Sequence, residues 1–551
     1  MTGADLLVQW LQNRGVGFAS VLCGNGLDPF LDASRRHGLR IVDTRNEQAA
    51  SYIADGYARL TGGLGVCAVS SAVGHANAVI GVVNAHFDGA PMLLITGASD
   101  QQMRGLVNFQ ELDHIPMVAS LCKYARWVER VDQLEAALEQ AVGAAISPRP
   151  GPVHLTVPVD VLGAPVATSV RPIACTTGTC GVVEPPSGGP GDAAAVKEAA
   201  KMLVEADRPV IVAGTGAFYA RADASVEALV QTTDVPVVVP IWDRGVIDRP
   251  IDQFLGVIGA ASGGPELLGD ADLIVYVGAR IDYRTSYARP PTVNAECRIV
   301  RIDVDANEVH QGRDPDVGIV GNPRLVADAL IEAFKRLDGK PRRGWLDEAR
   351  KRDRAFRSRW IDTPVPDAPP MTGRHVVEAL RPFVQDDTLF LVDGGNIGQW
   401  AHMVLCDRYP ADWLTCGASA VVGWGVGGAM AARLAAPDRP VILLSGDGAS
   451  TFTIADLESA ARQGLPFVMV VADDQAWGIV VSGQRQRHGE DNTCGCRLGP
   501  IRYDQLAESL GCIGVRIEHP SEIGPAIERG INADRPTVVH VPIAVGGPAD
   551  V

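Results

Sequence analysis

The sequence predicts an α/β protein built from three doubly wound parallel-sheet domains. Short apolar runs alternate with helix-period segments along nearly the whole chain, and glycine turns close many of the runs. Two stretches interrupt the alternation. One is the Gly, Pro and Thr-rich segment Cys175 to Asp192, and the other is residues 336–370, charged and then Pro-rich. They leave domains at 1–170, 190–335 and 370–551, in keeping with the three or four domains that 551 residues lead one to expect.

Composition narrows the function classes. A net charge of −16 argues against nucleic acid or an anionic membrane as partner, because both select basic patches. No run reaches the ~18 apolar residues of a membrane span. The first helix spaces Leu6, Leu7, Trp10 and Leu11 on one face and ends at Gly15, so it reads as amphipathic, not as a secretion signal. Eleven cysteines, mostly in apolar surroundings, point to reduced thiols and a cytoplasmic location. Cys494-Gly-Cys496 has no zinc-spaced partner and reads as a loop pair.

In chain order, Val16 to Leu22 and Leu39 to Asp43 read as strands, Asn46 to Leu60 as a helix closed by Gly62-Gly63, and Gly65 to Ser70 as a strand. Asn77 to His86 is helical and Met92 to Thr96 a strand. The middle segment opens with Pro209 to Gly216, a strand and glycine turn, and continues with strands at Val235 to Pro240, Leu273 to Gly278 and Ile299 to Val304. Gly214-x-Gly216 alone does not mark a nucleotide, since a tight βα turn needs glycine anyway. The last segment has a helix from Thr372, a strand at Leu389 to Asp393, and a strand–helix–strand unit at Val441 to Val480. In that unit Thr453 and Asp456 resemble a capping box. Its strands end at Gly446-Asp447-Gly448 and Asp473-Asp474, which places Asp447 and Asp474 at the carboxyl edge of one sheet, suited to a hard divalent cation such as Mg²⁺.

The GDG triplet with a polar pair about two dozen residues on resembles the diphosphate motif of thiamine diphosphate (ThDP) enzymes, in the acetolactate synthase-like branch. The resemblance implies Mg²⁺ on Asp447, Asp474 and the carbonyl of Ala476, with Gly446, Gly448 and Ala449 beside the diphosphate. The family's pair is Asn-Asn, so Asp473-Asp474 adds negative charge there. The segment Arg45 to Arg59 matches the helix of the family's catalytic glutamate, here Glu47, which bonds to the aminopyrimidine ring and favours its imino tautomer. A carboxyl in a dry site can keep its proton at neutral pH.

Ser70 to Asn77 stands in place of the family's S-G-P-G-x-x-N turn, with Gly74 and Asn77 toward the cofactor. His75, unusual there, is either a proton shuttle or a turn residue bonded to backbone. Gln110 matches a residue near the substrate, and Lys123 also matches. Val422 stands where a bulkier residue wedges between the cofactor rings. Leu27 and Gly483 replace the family's polar corner group, with Asp28 beside it, and acceptor-pocket tryptophan. In relatives the central domain binds FAD, ADP or nothing; Gly278 to Arg284 resembles a segment near FAD.

The resemblance implies a homodimer or homotetramer with Glu47 from one subunit and Asp447 and Asp474 from its neighbour. The activity it implies is carboligation or decarboxylation of a small 2-oxo acid. A lyase of a 2-hydroxy ketone or 2-hydroxyacyl-CoA, favoured by Leu27 and Gly483, and a non-catalytic homologue, suggested by Asp474 and Val422, remain open alternatives.

Overall fold

The computed structural model describes residues 1–166, 188–259 and 264–548. Most of the first linker, and the end of the first predicted domain at 167–170, lie outside the described residues. The alternation of apolar runs and helices folds into three six-stranded sheets, parallel throughout.

The first sheet holds β1 (Phe18–Leu22), β2 (Arg40–Asp43), β3 (Gly65–Val69), β4 (Met92–Ala98), β5 (Tyr124–Trp127) and β6 (Val153–Pro158), in the order β2-β1-β3-β4-β6-β5. The second holds β7 (Pro209–Ala213), β8 (Val237–Pro240), β9 (Phe254–Ile258), β10 (Leu273–Val277), β11 (Arg298–Asp303) and β12 (Val317–Val320), ordered β12-β11-β10-β7-β8-β9. The third holds β13 (Leu389–Asp393), β14 (Trp413–Thr415), β15 (Val441–Gly446), β16 (Val468–Asp473), β17 (Ile513–Arg516) and β18 (Thr537–Pro542), ordered β14-β13-β15-β16-β18-β17. The outer sheets thus share one strand order, while the middle sheet has the order of dinucleotide-binding folds. In each, the direction of strand addition reverses near the middle of the sheet, between β1 and β3, β7 and β10, or β13 and β15. Crevices at such reversals are where open α/β sheets bind ligands.

Central strands are buried on both faces, as β15 and β16 show with their near-continuous Val, Ile, Leu and Met. The helix Glu47–Thr61 starts from Asn46, whose side chain accepts from Gln48 N–H, and ends at left-handed Gly62. It packs on the helix Gly425–Ala435, where small residues let the backbones approach: a Cβ at Gly56 would meet Gly428 and Ala431 at 3.3 and 3.2 Å. Arg59, fully buried, reinforces this contact, pairing with Asp88 at 2.6 Å and donating to the Thr415 carbonyl at 2.7 Å. The central domain is fastened to the third by Arg244, which donates to the carbonyls of Trp413 and Ala411.

Three local expectations are corrected. The second linker contains a 19-residue helix, Arg343–Ile361. Trp345 and Ala349 bury in the central-domain core, the Trp345 indole N–H donates to the Pro209 carbonyl at 2.9 Å, and the i,i+4 pair Arg352–Glu348 lies on a more exposed face. The capping box at Thr453 does not form. Thr453 donates to the Gly423 carbonyl at 2.7 Å and Asp456 accepts from Arg45 N–H at 2.7 Å, so tertiary partners displace the local pairing. Finally, the helix expected from Asn77 begins at Val73, which brings Gly74 and His75 into its first turn.

Candidate active site

At the reversal in the third sheet, the carboxyl ends of β13, β15 and β16 frame a cleft of about 350 Å³. Gly394 to Ile397 follow β13, Gly446 to Ala449 follow β15, and Asp474 and Ala476 follow β16; all line it, with Val422 and Trp242. Gly446 pairs in register with Ala472, so the two carboxylates that follow are neighbours. Asp447 is buried and pushed up to about 7, first by burial and then by the adjacent Asp474 charge. Asp474 is raised by burial, an effect that a 3.2 Å hydrogen bond from Asn396 Nδ2 opposes. Ala476 N–H donates to Asp474 Oδ1 at 3.1 Å, tying the loop to the carboxylate.

This donor set fits a divalent cation. Two buried carboxylates side by side repel, and a hard cation between them removes the repulsion and prefers their oxygens. Among the described residues no three His, Cys, Asp or Glu side chains gather as a metal set, so a cation here draws on two carboxylates plus backbone or ligand oxygen. Two of the glycines around them are sterically required. A Cβ on Gly448 would stand 2.7 Å from the Trp477 ring, and one on Gly478 would stand 2.7 Å from Asp474 Oδ2.

Sequence reasoning missed two supports. Asp473, the first residue of the acidic pair, is bonded away from the cleft: its Oδ2 lies 3.0 Å from His540 Nε2, and His540 Nδ1 lies 3.2 Å from Asp504. Asp393 at the end of β13 accepts from Gly423 N–H and, at 2.8 Å, from Gly425 N–H, and so fixes the backbone beside Val422. Its carboxyl is pushed up to about 7 by burial. The signal for both was positional, a polar residue at the buried end of an apolar strand.

Glu47 is the first residue of its helix, nearly buried in its own domain. Asn77 Nδ2 donates to Glu47 Oε2 at 3.1 Å, and a Cβ on Gly74 would stand 3.2 Å from Glu47 Oε1 and 2.4 Å from Ser70 Oγ. The structure thus brings Glu47, Gly74 and Asn77 together. His75 is fully buried below them. Its Nδ1 lies 2.8 Å from Thr96 Oγ1, its Nε2 has no partner, and its ring is 4.8 Å from both His114 and His154. Burial pushes His75 down to about 3 and His114 to about 4, which keeps the cluster neutral. His114 Nε2 accepts from the N–H of Ala72, the residue of positive φ that opens the turn, at 2.9 Å.

Gln110 also has positive φ, and its Oε1 is buried without a hydrogen-bond partner. Lys123 stands apart from this group, donating to Ser147 and to the Arg149 carbonyl, and burial pushes it down to about 8. Leu27 is buried, while Asp28 is exposed.

In the central domain the reversal between β7 and β10 opens a cavity of about 210 Å³ lined by Gly216, Gly278, Asp303, Asn322 and Arg324. A Cβ on Gly216 would stand 2.8 Å from Gly278 Cα, so glycine is needed at that crossing. A second cavity of about 280 Å³ shares Arg149, Arg280 and Glu308 with the first. Glu308 pairs there with Arg149 at 3.0 Å and Arg280 at 3.2 Å. Cys494 and Cys496 are both free thiols, the first exposed and the second buried.

Three family models match the chain in order: the N-terminal TPP binding domain of thiamine pyrophosphate (that is, ThDP) enzymes at residues 1–117, the central domain at 196–330, and the C-terminal TPP binding domain at 393–541. Among similar proteins, a probable acetolactate synthase large subunit of Methanococcus aeolicus is 30% identical over 98% of this chain and 92% of its own length. Acetolactate synthase isozyme 1 large subunit of Escherichia coli is 27% identical over 98% and 94%. The 2-hydroxyacyl-CoA lyase 1 of Dictyostelium discoideum is 27% identical over 95% and 94%. With the three sheets in matching order and near full-length similarity, the chain belongs to the thiamine pyrophosphate enzyme family, in its acetolactate synthase-like branch.

Proposed function

We propose that this chain is a ThDP- and Mg²⁺-dependent enzyme that makes or breaks a carbon–carbon bond of a small 2-oxo acid, as a carboligase or decarboxylase. The observation that carries the reading is the pairing of Asp447 and Asp474 in a cleft that also holds Val422. In this reading the two carboxylates and the Ala476 carbonyl hold Mg²⁺, and Gly446, Gly448 and Ala449 leave room for the diphosphate. Bound ThDP supplies the electron sink for chemistry next to a carbonyl. Glu47 would hydrogen-bond the aminopyrimidine, with Asn77 and Gly74 fixing the carboxyl. Gln110 orients the substrate. We assign His75 a supporting role from within the neutral histidine cluster, since its ring is buried.

The reading includes a homodimer or homotetramer with sites shared between subunits. Around the Glu47 corner, Val73 is 59% exposed, and on the adjoining loop Val107 is 95% and Phe109 69% exposed. Phe452 and Val480 are exposed in the third domain. Two apolar surfaces of this kind favour a second copy of the chain as cover. Mixing Glu47→Ala and Asp447→Ala proteins tests this: activity that neither has alone supports shared sites, and none argues for sites within one chain.

For the central cavity, 210 Å³ is small against the ~300–1,000 Å³ of typical ligand pockets. FAD therefore needs the Glu308 bridge to open and join the two cavities, whereas a smaller adenine nucleotide demands less. A flavin absorption band in the purified protein would decide for FAD.

The lyase reading is kept because buried, apolar Leu27 puts no polar side chain at its corner. Calorimetric titration of dialysed protein with ThDP, with and without Mg²⁺ and repeated on Asp474→Asn, tests the cofactor. Metal-dependent binding supports the proposal, and no binding by the native protein refutes it. Carbon dioxide release from 2-oxo acids then separates the main reading from aldehyde release without carbon dioxide.

A further inference from the structure

We propose that Trp242, a residue of the central domain, positions the pyrimidine end of ThDP in the third domain's cleft; the inference rests on the cofactor reading above. Trp242 lines that cleft with Cys416, Ala420 and Val422, and it is 8% exposed. Its backbone φ is +69°, a conformation rare for a bulky residue and maintained only where the surroundings impose it.

The surroundings do impose it. The Trp242 carbonyl accepts from Thr415 Oγ1 at 3.0 Å. The next residue, Asp243, is buried and held by Arg284 Nη1 at 2.8 Å and Thr215 Oγ1 at 2.9 Å. Arg244 follows, anchored on the carbonyls of Trp413 and Ala411. A strained tryptophan fastened on both sides, with its remaining surface in a ligand cleft, is a built feature.

The sheet order says which end of the cleft it serves. Strands run β14-β13-β15-β16, and the carboxylates follow β15 and β16. Trp242 bonds to Thr415, the last residue of β14, and so closes the opposite end. A cofactor whose diphosphate lies at the carboxylates extends its organic part toward β14, where Trp242, Cys416, Ala420 and Val422 form an apolar wall. The indole offers that part a flat, rigid face suited to an aromatic ring.

The full chain and its Trp242→Ala and Trp242→Phe variants would be titrated calorimetrically with ThDP plus Mg²⁺ and, separately, with inorganic diphosphate plus Mg²⁺. Trp242→Ala is expected to weaken ThDP about 10-fold or more while diphosphate affinity stays within about 2-fold, and Trp242→Phe to retain most of the ThDP affinity. Unchanged ThDP affinity in Trp242→Ala, or equal weakening of both ligands, would overturn the proposal. A native protein that binds diphosphate but not ThDP would instead overturn the cofactor reading on which it rests.

Discussion

His540 Nε2 lies 3.0 Å from Asp473 Oδ2, so the acidic residue next to the candidate metal ligand Asp474 is bonded to a buried ring on a neighbouring strand. His540 Nδ1 faces Asp504, which in turn bonds to Arg502 at 2.6 Å. The resulting chain gives Asp473, the first aspartate of the pair, a partner outside the cleft. Removing one member of a buried pair leaves the other unpaired, at a cost of about 3–5 kcal/mol. His540→Ala is therefore expected to lower the thermal unfolding midpoint strongly, with Asp473→Asn in the same chain recovering part of the loss. A loss no smaller in the double variant would show that the two residues are not coupled.

A second expectation concerns Asp393. Burial pushes its carboxyl up to about 7, against about 3.9 in an unfolded chain. Between those values the folded state binds more protons than the unfolded state, so this residue's contribution to stability is full below pH 4 and declines as pH rises toward 7. Asp393→Asn cannot titrate. The stability of the native protein relative to Asp393→Asn, read as the difference in unfolding midpoint, should accordingly be greatest at pH 4 and fall steadily as pH rises to 8. A constant difference would mean that the carboxyl titrates normally.

Gly74 is expected to tolerate no side chain. Its added Cβ would press on Ser70 Oγ at 2.4 Å and Glu47 Oε1 at 3.2 Å, shifting the carboxyl that the proposed chemistry needs. A displacement near 1 Å costs on the order of 10²-fold in rate, so the few tenths of an ångström that a 3.2 Å contact demands of Glu47 cost roughly 4-fold. Turnover by Gly74→Ala should fall by about that factor while its circular dichroism spectrum stays native, and near-native turnover would remove Glu47 from the mechanism.

The helix Arg343–Ile361 gives a fourth expectation. Trp345 is buried and hydrogen-bonded to the Pro209 carbonyl, so Trp345→Ala should cost about 3–5 kcal/mol of stability. Chemical denaturation followed by fluorescence would register it. A change near zero would restore the segment to the status of a loose connector.

The sequence by itself determined the sheet class, the three-domain order, the strand ends and turns that carry Asp447, Asp474 and Val422, and the helix start that carries Glu47. Those features are local: apolar strands announce themselves by composition, and glycine turns mark where strands end. Arg343–Ile361 escaped that reading because high charge hid an apolar stripe that only its neighbours make meaningful. The capping box at Thr453 failed for a related reason, since Gly423 and Arg45, distant in the chain, compete for the same polar groups.

Only the tertiary structure decided which side chains meet. It turned Asp473 toward His540, set Asp393 under the backbone at Val422, buried His75 among other histidines, and inserted Trp242 from another domain into the cleft. Each joins residues far apart in the chain, and such contacts follow from strand order and domain packing, which no local pattern of residues encodes.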